Sequence, residues 1–203
     1  MFGDIKFDLV CLLTLLVFCL IKKGYEILVK KNKTTQVVLF LQLGVCLLFL
    51  VTFKLTIFTV LCLIMLVLFS HIFIIDSKYY IIPYSSIIGI FVLAIINFFI
   101  ENVINVSILN RIISFVIFLL LWLLLTLIQN KIKKEFLGGG DLMLFCVVSL
   151  FLGGLITIIG IFIGSLLALI FNLFNNKKKK LPFGPYLVVG FILALLIYTH
   201  IFI

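Results

Sequence analysis

Polar residues interrupt this chain only at long intervals, and the apolar runs between them have the length of bilayer-crossing helices. A helix needs about 20 mostly apolar residues to cross the hydrocarbon core, and about 17 suffice if it stands nearly upright. The pattern predicts eight spans, at roughly residues 5–21, 36–53, 55–75, 85–100, 108–129, 141–153, 155–174 and 186–203. The sixth and seventh come from one stretch, 142–174, that carries no charged residue. It is too long for one helix and a little short for two full ones. A break is expected at Gly153-Gly154, where small size and backbone freedom favour a tight reversal. The expected fold is therefore an all-α, polytopic transmembrane helix bundle.

Composition agrees: 66% of the residues are hydrophobic and only 11% charged, a balance that no soluble fold reaches. The apolar run at 7–21 is read as a span and not as a cleaved signal, because Lys22-Lys23 follows it directly with no small-residue cleavage site. Cys11, Cys19, Cys46, Cys62 and Cys146 stand singly within apolar runs, with neither a CxxC pair nor metal-ligand spacing. They are expected to be small packing residues, with no metal bound.

The net charge of +9 raises the question of nucleic acid, yet the Lys residues fall in short runs between apolar segments, so none is expected as a partner. They orient the chain instead, because Lys and Arg concentrate in short cytosolic loops. Lys22, Lys23, Lys30, Lys31 and Lys33 lie in the first loop, Lys78 in the third, Lys131, Lys133 and Lys134 in the fifth, and Lys177, Lys178, Lys179 and Lys180 in the seventh. Only Lys6, Lys54 and Arg111 fall on the other side. Eight spans with both termini outside the cytosol satisfy this distribution.

Five of the seven acidic residues, Asp4, Asp8, Glu26, Glu101 and Glu135, lie in loops or near the start, where hydration costs little. Asp76 and Asp141 differ. One closes the run 55–75 and the other opens the run that begins at Leu142, so each carboxyl is held at the edge of a low-dielectric slab, where function is the usual reason to find one. The topology puts both at the cytosolic face. Two carboxyls at one depth can share a single proton, leaving one as a base for water and the other as an acid for a carbonyl. Gly138-Gly139-Gly140, just before Asp141, is a backbone that lets a second chain come close. Such acids could alternatively bind a cation or a partner at the membrane rim, which would make the chain a small transporter or a non-catalytic subunit of a secretion or pilus assembly. Transporters more often place their acids near mid-membrane, between broken helices.

Three segments resemble one family. Gly138-Gly139-Gly140-Asp141 followed by Leu142-Met143-Leu144 is similar to the second catalytic motif of the type IV prepilin leader peptidases, membrane aspartyl proteases of the GxGD class. Asp76 with Ile82-Pro83 resembles the first motif, and Leu181-Pro182-Phe183-Gly184-Pro185-Tyr186 resembles the segment that opens the family's last span. The resemblance covers residues 36–203, taken as a membrane-embedded peptidase domain, with 1–35 as a first span and a short basic cytosolic loop. It implies an aspartic endopeptidase of the plasma membrane that cuts the basic leader from prepilin or pseudopilin precursors. Asp76 and Asp141 would be catalytic, with Gly138, Gly140 and Pro83 positioning substrate and no cofactor required. Met143 stands where relatives commonly have Lys, and Tyr84 where they often have Asn or Asp. Many relatives also carry two CxxC zinc-binding pairs in the first loop, linked to N-methylation of the trimmed product. This chain has no Cys there, so the resemblance does not carry methyl transfer over to it. The segment 182–185 is expected to act only as a rigid turn into the last helix.

Overall fold

The computed structural model describes residues 57–99, 106–133, 138–174 and 181–202. Every element among them is a helix: α1 (Ile57–Tyr79), α2 (Tyr84–Phe99), α3 (Ile108–Ile132), α4 (Gly139–Leu152), α5 (Gly154–Phe174) and α6 (Gly184–Phe202). Three of them, within α1, α3 and α5, are long and apolar enough to cross a membrane. The first two expected spans, and the expected boundary near residue 35, lie outside the described residues.

The chain divides into two compact units, Met1–Ile74 and Ile75–Ile203. In the first, α1 buries Leu61, Cys62, Met65, Phe69 and Ile72, a stripe at helical spacing. In the second, α4 is the central element. It packs against α2, α3 and α5 and buries nearly every residue from Leu142 to Leu152, as a helix that is apolar all round must. Phe145 of α4 meets Phe118 of α3 and Phe191 of α6 edge to face, with ring centroids 6.4 Å apart in both pairs. The opposite surfaces of α3 and α5 present large apolar side chains, among them Leu109, Leu127, Phe162 and Leu173, which in a bilayer meet lipid.

The expected reversal falls where glycine permits it. Gly153 separates α4 from α5 with φ at 89°, and its N–H still donates to Ser149 O at 2.9 Å. A side chain would be strained there, and a Cβ would also strike Val106. Asn97 of α2 closes the same corner, its Nδ2 donating to Phe151 O at 3.1 Å. Beyond it, α5 and α6 pack closely, with Gly160 and Gly164 facing Phe191, Leu187 and Gly190. Gly160 and Gly164 are thus contact residues, whereas Ser165, beside them in sequence, is exposed.

Two helices run slightly past the edges expected from hydropathy. α1 continues through Ser77 and Lys78 to Tyr79, which places Asp76 within its last turn. α4 starts at Gly139, so Asp141 lies in its first turn. Helical hydrogen bonding does not require apolar side chains, so a helix can outrun the apolar segment that a hydropathy pattern marks.

Candidate active site

The end of α1 and the start of α2 form one wall of the site. The α1 helix closes with the Tyr80 N–H donating to Asp76 O at 2.9 Å, and Tyr80 itself takes a left-handed conformation, φ 59°. The chain then runs without regular structure through Ile81 and Ile82 to Pro83, whose carbonyl accepts the N–H groups of Ser86 and Ile87 and so starts α2. Ile81 is exposed and Ile82 is buried.

The start of α4 forms the facing wall. Gly138 caps the helix, its carbonyl accepting from Asp141 N at 3.1 Å and Leu142 N at 3.4 Å. The Asp141 carboxyl folds back over Gly138 and engages its backbone N–H, the half of a capping box that the third helical residue supplies. Gly140 lies directly against Ile82: a Cβ built on it would stand 3.1 Å from the Ile82 Cβ. Bare backbone at this point is what lets the two walls approach.

Asp76, Asp141 and the three glycines line one open cleft of 210 Å³, together with Tyr80, Ile81, Ile82 and Tyr84. Asp76 is 5% exposed, Asp141 is half-buried, and the two carboxyl groups act on one another electrostatically. The cleft therefore brings together Asp76, Asp141, Gly138 and Gly140. Pro83 does not line it and acts through the backbone, as the cap of α2.

One participant has no precedent in the sequence reading. The backbone N–H of Gly184, the first residue of α6, donates to Asp76 Oδ2 at 2.8 Å. The first N–H groups of a helix have no partner within it and carry the positive end of its dipole, which makes them good seats for a carboxylate. The segment 182–185 thus does more than turn the chain, because it fixes the orientation of an acid. Asp76 is seated on the start of α6 and Asp141 on the start of α4. Each acid is thus held by a helix N-terminus. Among the described residues, no group of three His, Cys, Asp or Glu side chains gathers around a point that could hold a metal ion.

The model of the type IV leader peptidase family matches residues 60–173, more than half of the 203-residue chain and a range that includes both acids. No curated protein and no solved structure matches the chain.

Proposed function

The chain belongs to the type IV leader peptidase family, and from that membership we propose that it is an aspartic endopeptidase of the plasma membrane, in which Asp76 and Asp141 together cut a precursor chain. Peptidase activity comes with the family. The aspartic mechanism rests on one observation, the two carboxyl residues that line a single open cleft. Two acids so placed titrate as a unit, and the singly protonated pair contains both groups that hydrolysis needs. The ionised carboxyl takes a proton from water while the oxygen of that water bonds to the scissile carbonyl carbon. The neutral carboxyl gives its proton to the carbonyl oxygen. When the tetrahedral intermediate collapses, one of its hydroxyls returns a proton to the carboxylate that gave one, the carbonyl re-forms, the C–N bond breaks, and the proton removed from water passes to the departing amine.

The substrate class proposed is a prepilin or pseudopilin precursor, with a basic leader in the cytosol and an apolar helix in the bilayer. The placement of the Lys residues supports a cytosolic site in a chain of about eight spans with both termini outside. The short helix α4 fits that geometry. Its 14 residues cover about 21 Å, less than the roughly 30 Å of the hydrocarbon core, which leaves room for the Asp141 end to sit recessed at the rim, within reach of both water and the start of a membrane-buried helix.

The test is co-expression with a precursor that carries a basic leader. Asp76→Asn and Asp141→Asn should each lower processing by more than about a hundredfold while leaving the protein inserted in the membrane. Undiminished processing by both variants would refute the assignment.

A further inference from the structure

The cleft contains two tyrosines that the proposed chemistry does not use. Tyr80 and Tyr84 both line it, with 47% and 64% of their surface exposed, and among the described residues no Lys or Arg lines it. Tyrosines at a bilayer edge often serve only as interfacial anchors. Two observations point elsewhere. The left-handed position that closes α1 is one where glycine would be unstrained, yet it holds Tyr80, which places a ring at the cleft beside Asp76. Next to it, the Nζ of Lys78 lies over the Tyr79 ring, 4.9 Å from its centroid, so a lysine cation does rest on a tyrosine face at this rim.

We propose that Tyr80 and Tyr84 form a cation–π subsite that receives a Lys or Arg side chain of the substrate leader close to the scissile bond. The proposal rests on the leader-peptidase reading above and adds to it the group that recognises the leader. Among the described residues, the only carboxyls lining the cleft are Asp76 and Asp141. A leader cation bound directly to the ionised one would weaken it as a base for water. Aromatic faces attract an alkylammonium or guanidinium group through their quadrupole and leave both acids free for the reaction.

The experiment uses the full chain in detergent and two synthetic precursor peptides, identical except that the leader lysine nearest the scissile bond is replaced by norleucine in one. The wild-type chain should show a KM about fivefold lower for the lysine peptide. Tyr84→Leu and Tyr80→Leu should each bring the ratio of the two KM values toward one, and Tyr84→Phe, which keeps the aromatic face, should preserve it. Cleavage of both peptides with equal KM by the wild-type chain overturns the subsite and leaves the peptidase reading standing. A ratio that survives Tyr84→Leu and Tyr80→Leu also overturns the subsite. Failure to cleave either peptide overturns the peptidase reading and the subsite together.

Discussion

Gly184 and Asp76 are 108 positions apart in the chain, yet the N–H of the first donates to the carboxyl of the second at 2.8 Å. The approach is so close that a Cβ on Gly184 would stand 2.9 Å from Asp76 Oδ2 and 3.1 Å from its Cγ. Gly184→Ala should therefore displace the carboxyl and leave the helices intact. Misplacing a reacting group by about 1 Å can cost on the order of a hundredfold in rate. A fall of that size in kcat/KM on a precursor peptide, with an unchanged elution volume in detergent, is the expected result.

The three glycines before Asp141 should differ in tolerance. A Cβ on Gly139 meets nothing within 4 Å, whereas one on Gly138 would lie 2.9 Å from Asp141 Oδ2 and one on Gly140 would lie 3.1 Å from the Ile82 Cβ. Gly139→Ala should keep cleavage within about twofold and add roughly 0.5 kcal/mol of stability by restricting the unfolded chain. Gly138→Ala and Gly140→Ala should each lower kcat/KM at least about tenfold, the first by moving the acid and the second by moving the opposite wall. Kinetics on the three single variants decide this. Equal losses in all three would show that the cleft does not have this geometry.

How far the sequence foretells this arrangement depends on which atoms carry the signal. The helices of residues 57–202 follow from apolar runs of sufficient length, and the break at Gly153-Gly154 follows from a charge-free stretch too long for a single helix. Asp76 and Asp141 stood out because an ionisable group beside an apolar run is costly. The Gly184 donor had no such signature. Every residue other than proline has a backbone N–H, and only tertiary packing decides which one meets a carboxyl. Tyr80 was equally hidden, because a left-handed tyrosine at a helix end runs against the usual preference for glycine there. Helix extents shifted by a few residues for a related reason: hydropathy marks the apolar segment, whereas hydrogen bonds mark the helix.

The close contact of α5 with α6 gives a prediction about stability. A Cβ on Gly190 would collide with the Gly160 carbonyl oxygen and lie 2.6 Å from Gly164 N, and both of these are backbone atoms that cannot rotate away. Gly190→Ala should push the two helices apart and destabilise the bundle by about 1–3 kcal/mol, the usual cost of overpacking a tight contact. Ser165→Ala, one residue from Gly164 but on the exposed surface, should change stability by less than about 0.5 kcal/mol. Thermal aggregation of the purified variants in one detergent gives the comparison, and similar midpoints for the two would count against the close contact.

Stability and substrate recognition should oppose one another at Tyr80. The residue holds φ at 59°, a conformation that costs a residue bearing a Cβ about 1–2 kcal/mol and costs glycine almost nothing, while its ring is half in solvent and contributes little packing. Tyr80→Gly should therefore stabilise the folded chain by roughly 0.5–1 kcal/mol, the relief being reduced by the greater freedom of glycine when unfolded. The same substitution removes one of the two rings that line the cleft beside Asp76, so KM for a lysine-containing leader should rise by about threefold to fivefold. Thermal melts and steady-state kinetics on a single preparation test both halves. A variant that gains stability with unchanged KM would show that the ring has no part in binding, and one that loses stability would show that Tyr80 packs more firmly than its exposure implies.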